Sequence, residues 1–88
     1  MRTCLHVSAQ MGYLEIFQII AEKVKDIDVK DDHNNTPLHM AAQSGFSDLC
    51  KFILSKTDNP FPVNDEKKTP YDYAKKNGHT ATEKLIGI

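Results

Sequence analysis

The sequence contains no tryptophan, only two cysteines, no long apolar run and a formal net charge of only −1. A membrane-spanning helix needs about 20 consecutive apolar residues, and no stretch approaches that length. The apolar residues that begin at Leu5 are interrupted by His6, Ser8 and Gln10, so the start does not resemble a signal peptide. The near-zero net charge argues against a binder held to nucleic acid or a membrane surface by bulk electrostatics.

Motifs that would indicate catalysis or metal binding are missing as well. There is no glycine-rich phosphate loop, nucleophile elbow, Cys-x-x-Cys or His-x-x-x-His pair. A loop starting at Asp26 fails as a calcium site, because Asp31 stands where glycine is required and Pro37 where glutamate is required. We therefore predict a protein that is not an enzyme and that holds no cofactor and no metal ion.

What the sequence does contain is an internal repeat. Thr3, Thr36 and Thr69 are evenly spaced, and the same interval separates three glycines, Gly12, Gly45 and Gly78. The stretch 36–45 contains signals for both the start and the end of a helix. Its threonine can cap a helix, the proline after it suits the first helical position, and the closing glycine suits the left-handed end of a helix. The constant interval predicts stacked copies of one helical unit.

These residues resemble the ankyrin-repeat family, which has a period of about 33 residues and the pattern T-P-L-H-x-A. Residues 36–41 match that pattern at every specified position. The resemblance implies an all-α repeat solenoid of stacked helix-turn-helix pairs joined by extended hairpin loops. It predicts one domain over residues 1–88, with repeats 3–35, 36–68 and 69–88, the first and last incomplete. The match weakens at Cys4, where the family prefers proline, and at Asp72, where it prefers histidine.

The repeat pattern also places the helices. We predict first helices over 3–11 and 37–44, with another beginning after Thr69. Second helices are predicted over 14 to about 24, 47 to about 56, and 80–88. The segments between helix pairs should be irregular hairpin arms, and the second arm should be stiffened by Pro60 and Pro62.

The four histidines could suggest catalysis, but the resemblance gives most of them structural roles. His6 and His39 occupy the histidine position of the T-P-L-H pattern, which implies hydrogen bonds to backbone and to the nearby threonine hydroxyl. His79 follows the glycine turn, another common structural position in the family. Only His33 is predicted to be exposed, where it would be a rim contact of a binding surface and not a base.

The resemblance implies a non-catalytic module that binds a protein partner through a concave face formed by hairpin tips and first helices. Stacking leaves the polar positions on that face free to suit a partner. The predicted contact residues lie in the two hairpins and at the ends of the first helices: Asp32, His33, Asn35, Gln43, Ser44, Asp65, Glu66, Lys68, Lys76 and Asn77. Solvated loops with no role in binding are the plain alternative for any one of them.

Two other functions stay open from the residues. The repeats could be an architectural segment of a longer array, such as a scaffold or the cytoplasmic region of a channel, or an accessory or inhibitory domain of an enzyme. Cys4 and Cys50, in different repeats, suit a reducing, intracellular compartment, which we expect to be the cytoplasm. Monomers, or weak self-association through exposed ends, are expected.

Two surface features complete the predictions. The first hairpin is rich in aspartate while lysines lie toward the other end of the stack, so the binding face should be polarised in charge. The first repeat carries more apolar residues than one neighbour can cover. We therefore expect the chain to be the C-terminal part of a longer array.

Overall fold

A computed structural model describes residues 4–24, 27–57 and 62–86 of the chain. These residues form six helices: α1 Cys4–Met11, α2 Leu14–Lys23, α3 Pro37–Ser44, α4 Ser47–Lys56, α5 Pro70–Lys76 and α6 Thr80–Ile86. Between the helices, these three ranges contain turns and loops and no strand. The predicted limits of α3 and α4 are confirmed, and α2 ends one residue before the predicted limit. Thr3 and Ile88, predicted as helix ends, lie outside the described residues.

The helices form two rows of three. The first helices α1, α3 and α5 pack side by side, and each contacts the second helix of its own pair across a short turn. In the second row, α4 contacts both α2 and α6. The described part of the chain measures 31 × 25 × 22 Å. This arrangement confirms the predicted all-α repeat solenoid of stacked helix pairs.

The core lies between the two rows and is made of side chains that the repeat pattern places on facing sides. Alanines in the first helices, Ala9, Ala41, Ala42 and Ala74, are completely buried and let neighbouring backbones approach closely. Larger side chains fill the second row, among them Phe17, Leu49 and Ile53. Helices of seven to ten residues are too short to be stable alone in water, so packing between repeats holds them.

The first helices start as the Thr-Pro pairs predict. At α3 the extended Thr36 precedes Pro37, and the Nδ1 atom of His39 accepts a hydrogen bond from the Thr36 backbone N–H at 3.0 Å. At α5 the Thr69 backbone N–H donates to a carboxylate oxygen of Asp72 at 2.9 Å. Asp72 therefore replaces histidine in the capping role, because a carboxylate can also accept from the first orphan N–H.

The turn between the two helices of a pair depends on a left-handed glycine. Gly45 has a φ of 80°, and a Cβ atom added at this position would lie only 2.6 Å from the Nδ1 atom of His79. A side chain at position 45 would therefore clash with the His79 ring. Gly78 has a similar φ of 75°, but nothing lies within 4 Å of the Cβ position there. The His79 ring, one residue after Gly78, therefore packs on Gly45 of the preceding repeat. The Phe46 ring, one residue after Gly45, packs on Gly12 in the same way.

This difference gives a matched test of the contact between repeats. Gly78→Ala should cost about 1–2 kcal/mol of unfolding free energy, because an L-residue is forced into left-handed backbone. Gly45→Ala carries the same backbone cost and also displaces the His79 ring, so we expect about 1–3 kcal/mol more. Urea unfolding of both variants measures the difference. Equal losses would show that the ring contact at Gly45 contributes nothing.

Candidate functional site

The two hairpins of the described chain have the same turn, at equivalent positions of successive repeats. In the first, the Asp31 N–H donates to the Asn35 carbonyl at 3.0 Å, and in the second the Asn64 N–H donates to the Lys68 carbonyl at 3.1 Å. Both turns place a non-glycine residue in left-handed backbone, Asn34 at φ 63° and its counterpart Lys67 at φ 61°. The two hairpins therefore have the same tight turn, and the prediction of irregular hairpin arms is wrong for residues 31–35 and 64–68. Pro60, predicted to stiffen the second arm, lies outside the described residues.

A side-chain oxygen organises each turn from within. Asp31 Oδ1 accepts from the backbone N–H groups of His33 and Asn35, both at 2.9 Å. Burial of the Asp31 carboxyl raises its pKa, but these hydrogen bonds favour the carboxylate, and the net pKa is lowered. Asp31 is only 7% exposed. The predicted acidic surface of the first hairpin is thus wrong at this residue, whose carboxylate faces its own backbone.

The second turn uses an amide for the same purpose. Asn64 Oδ1 accepts from the N–H groups of Glu66 at 3.0 Å and Lys68 at 2.9 Å. Its amide nitrogen donates to Asn35 Oδ1 at 2.7 Å and to the Tyr73 hydroxyl at 2.6 Å. Asn64 thereby joins the first hairpin, the second hairpin and α5.

Histidines attach each hairpin to the first helix of its own repeat. His6 Nε2 lies 2.6 Å from the Asn35 carbonyl oxygen, and His39 Nε2 lies 2.8 Å from that of Lys68. Because His39 Nδ1 accepts from the Thr36 N–H, its proton is on Nε2, which donates to the carbonyl. The predicted hydrogen bonds to backbone are confirmed for both residues and for His79, whose Nε2 lies 3.1 Å from the Gln43 carbonyl oxygen. His39 also meets the predicted threonine hydroxyl, that of Thr36, at 3.0 Å, whereas Thr3, the corresponding threonine of His6, lies outside the described residues.

The hairpins also contact each other directly. The Asp65 N–H donates to the His33 carbonyl at 2.9 Å, and the Asn34 amide donates to the Asp65 carboxylate. As a result, the turns at 31–35 and 64–68 form one continuous edge of the stack. A ligand bound at one of these turns would therefore also lie next to the other turn.

The structure divides the ten predicted contact residues into exposed ones and ones used in the stack. Eight are exposed: Asp32, His33, Gln43, Asp65, Glu66, Lys68, Lys76 and Asn77. Asn35 is half-buried against Asn64, and the Ser44 hydroxyl donates to the Gln10 carbonyl at 3.1 Å. Asn77 is exposed, but its amide donates to the Gln43 carbonyl at 2.9 Å.

The predicted residues fall into two groups along the first helices. The hairpin group lies where α3 and α5 begin, and the group of Gln43, Ser44, Lys76 and Asn77 lies where they end. An eight-residue helix such as α3 is about 12 Å long, at 1.5 Å rise per residue. The two groups border one face and do not form a single cluster.

A groove between the second hairpin and α5 brings three predicted residues together. It has a volume of about 470 Å³ and is lined by Glu66, Lys68, Asp72, Tyr73, Lys75 and Lys76. The sequence prediction missed Asp72, Tyr73 and Lys75 as residues that line this groove. Lys75 could have been found by aligning the repeats, because it stands at the position of Ala9 and Ala42. A lysine at a position that is alanine in the other repeats has no place in the core.

The cysteines and the acidic groups of the described residues do not form a second kind of site. Burial raises the pKa of the Cys50 thiol to about 12, so it is an unreactive core residue. Cys4, by contrast, is exposed. Among the residues described, no three His, Cys, Asp or Glu side chains are placed to hold a metal ion. None of the helices in these ranges is long and apolar enough to cross a bilayer.

Stacked helix pairs, glycine turns and a hairpin edge define a helical repeat protein whose loops border one face. The profile of the family of ankyrin repeats, in three copies, matches residues 5–87, and the chain belongs to that family. No curated protein matches the sequence. Ankyrin repeats are in general protein-interaction modules, and the family is typically non-catalytic.

The strained turn position gives one prediction. Lys67→Gly should raise the unfolding free energy by about 0.5–1 kcal/mol, because glycine removes the left-handed strain at that position. Lys68→Gly is the matched control, since it also removes a lysine, at the adjacent position, but residue 68 does not have a positive φ. It should lower stability by a similar amount. Chemical denaturation distinguishes the two, and a Lys67→Gly variant no better than Lys68→Gly would contradict the turn geometry.

The attachment of hairpin to helix gives a pH dependence. Burial lowers the pKa of His39 below 6.5, while hydrogen bonding to Lys68 partly opposes the change. As pH falls below about 6.5, the unfolded state binds the proton first, so stability is lost on acidification. The loss continues until the folded-state pKa is reached. Asp31, whose pKa is lowered, adds a separate loss below 3.8.

The experiment compares unfolding midpoints at about pH 7.5 and 5.5 in two glutamine variants. His39→Gln keeps an N–H donor but cannot titrate, so its stability should depend less on pH than that of the parent. His33→Gln, at an exposed position, should leave the dependence as it is. If both variants show the parent's pH dependence, His39 is not the titrating group.

Proposed function

We propose that this chain is a non-catalytic binding module that recognises a protein partner through the concave face bordered by its hairpin turns and first helices. Most of the predicted contact residues have exposed side chains at that border. The hydrogen bonds that build the turns use backbone groups and the inward-facing Asp31 and Asn64, and the exposed side chains of Glu66 and Lys68 lie on the same turn. An intracellular setting is part of the proposal, supported by the two free thiols.

The observation that carries the proposal is the charge of the groove beside α5. Lys68, Lys75 and Lys76 are all exposed along it, from the second hairpin to the end of the helix. Asp72 also lines the groove, but its carboxylate accepts from the Thr69 backbone N–H and hydroxyl. Glu66 is then the one carboxylate lining this groove that does not cap a helix, and the groove has three lysines in its lining.

This arrangement indicates the chemistry of the partner. The Tyr73 ring lies 5.9 Å from that of His39, edge to face, so the groove has an aromatic wall held by the stack. A partner segment with carboxylates and at least one apolar side chain matches lysines around an aromatic wall. Complementary charge speeds association and fixes orientation more than it adds affinity. We therefore infer an acidic segment on the partner.

The test begins by identifying what touches the groove. A photo-crosslinking amino acid at position 76 should capture the partner in cells, whereas the same amino acid at position 51, an exposed lysine on α4, should not. The captured protein is then produced and its binding measured directly. A partner captured equally from both positions would contradict a concave-face site.

Charge reversal then tests the groove itself. We expect Lys68→Glu combined with Lys76→Glu to slow association with that partner by about tenfold or more at low salt, because steering is lost. Lys51→Glu combined with Lys84→Glu makes the same change in net charge on the other helix row, where both lysines are exposed, and should leave the rate near that of the parent. Both variants should unfold at the parent's urea midpoint, since the replaced side chains are exposed. An association rate that changes with neither variant nor salt would refute the groove as the contact.

A further inference from the structure

The turn of the third repeat contains Asn77-Gly78, the only Asn-Gly pair in the sequence. An asparagine side chain can lose its amide group by reacting with the backbone nitrogen of the next residue. Glycine is the most favourable next residue, because it has no side chain to hinder the approach of its nitrogen. Both residues are exposed, and nothing lies within 4 Å of the Cβ position of Gly78. The pair is therefore open to water and chemically suited to the reaction.

The other two glycine turns differ from this one in side chain and in cover. The equivalent residues before the glycine are Met11 and Ser44, which have no side-chain amide. Gly12 and Gly45 are each covered by a ring from the next repeat. Among the three turns, only that of the third repeat combines a side-chain amide with an uncovered glycine.

In the folded protein, the backbone at Asn77 holds the reacting atoms apart. Asn77 has a ψ of 4°, so the Gly78 nitrogen eclipses the Asn77 nitrogen and not its Cβ. Closing a succinimide ring requires the Gly78 nitrogen to lie on the Cβ side. Hydrogen bonds fix the unreactive conformation, since the Asn77 N–H donates to the Tyr73 carbonyl at 3.0 Å and the Gly78 N–H to the Lys75 carbonyl at 3.2 Å. The reaction therefore requires the turn to open first.

The side chain of Asn77 is also part of the contact between repeats two and three. Its amide donates to the Gln43 carbonyl at 2.9 Å, and one repeat earlier the Ser44 hydroxyl donates to the Gln10 carbonyl at 3.1 Å. Both bonds require a donor at the residue before the glycine. An ionised aspartate has only acceptor atoms, so at position 77 it would face the carbonyl oxygen without a hydrogen to share. Loss of the amide therefore removes a hydrogen bond between the repeats.

We propose that Asn77-Gly78 is a modification site, at which the third repeat converts to aspartate and isoaspartate when its turn opens and so loses part of its contact with repeat two. In the first step the Gly78 nitrogen gives its proton to a base in the solvent and bonds to the Asn77 Cγ. The Cγ–Nδ2 bond breaks, and the amide group takes up a proton from water and leaves as ammonia.

Water completes the reaction by adding to one of the two carbonyl carbons of the ring. Breaking the ring bond at Cγ gives aspartate, whereas breaking the bond at the backbone carbonyl carbon of residue 77 gives isoaspartate. One water is consumed, one ammonia is released and no electrons are transferred. No cofactor is needed.

Either product changes the end of α5. Aspartate adds a negative charge at the helix end where the macrodipole already places negative charge. Isoaspartate also routes the main chain through the side chain, which lengthens the turn ahead of Gly78. The inference concerns the contact between repeats and does not rest on the proposed function.

The first experiment follows the conversion itself. The chain is incubated at neutral pH, folded in buffer or unfolded in guanidinium chloride, and sampled over time. Mass spectrometry of the tryptic peptide 77–84 measures the product, which is heavier than the parent peptide, and chromatography separates aspartate from isoaspartate. In the unfolded chain Asn77 should convert faster than Asn64, which is followed by aspartate. In the folded chain conversion should be measurable but slower by about tenfold or more, because it proceeds through local opening of the turn.

Substitutions then test the consequence for the stack. Asn77→Asp reproduces one product and should lower the thermal midpoint by about 4 °C or more, because the bond to repeat two is lost. Asn77→Ser supplies the hydroxyl that Ser44 uses at the same place, so it should unfold near the parent's midpoint and should not convert. Gln43→Glu is the control for charge, since it adds one negative charge at an exposed side chain near the end of α3 and leaves the Asn77 donor in place.

Four results would overturn the proposal. Two concern the rate: Asn77 converting no faster than Asn64 in the unfolded chain, or folded and unfolded chains converting equally fast. The third is a folded chain that yields no product however long it is incubated. The fourth is an Asn77→Asp variant that unfolds at the same midpoint as Gln43→Glu, because the lost donor would then contribute nothing to the contact.

Discussion

Every helix of this protein depends on its neighbours, because none of those in the described ranges has more than ten residues. Forming the first turn of a helix is costly, and a helix this short cannot recover that cost by itself. Stability must come from the faces that the helices turn toward one another. The alanines of the first row and the larger side chains of the second row serve this purpose, and so does the ring that packs on each preceding glycine.

The same dependence divides the polar residues of the hairpin border into two groups. Asn35, Ser44 and Asn77 form hydrogen bonds to the neighbouring repeat and so help to hold the stack together. Glu66, Lys68 and Lys76 are exposed beside the groove at α5. The position of a residue in the repeat does not distinguish the two groups, whereas its hydrogen-bond partner does.

Local signals allowed much of the fold to be predicted. Helix starts at Thr36-Pro37 and Thr69-Pro70, and the turn at Gly45, depend on residues within one turn of each other, so a sequence pattern contains them. The family resemblance supplied the architecture. The roles of Asn35, Ser44 and Asn77 could not be read in this way, since their partners lie in the neighbouring repeat of the stack.

Asp31 shows the limit most clearly, because its charge suggested a surface while its carboxylate organises a turn. A signal was nonetheless present, since Asn64 stands at the same position of the next repeat and an amide can accept the same backbone hydrogen bonds. Comparing the repeats with each other, position by position, would have favoured a structural role. The groove at Tyr73 and Lys75 required the hairpin and α5 to be placed together, which no single repeat shows.

The hydrogen bond from His39 to the Lys68 carbonyl has a consequence for how such a sequence can change over time. It joins the start of the first helix to the end of the hairpin, with the whole second helix between them. Substitutions in the enclosed segment that keep its apolar positions leave both ends of the unit in place. The second helices LEIFQIIAEK and SDLCKFILSK accordingly share little beyond that pattern, while the first helices share identical residues. Each repeat unit should therefore accept substitutions in its second helix more readily than at the start of its first helix or in its hairpin. For the same reason, duplication of whole units preserves the fold better than insertion within the T-P-L-H stretch.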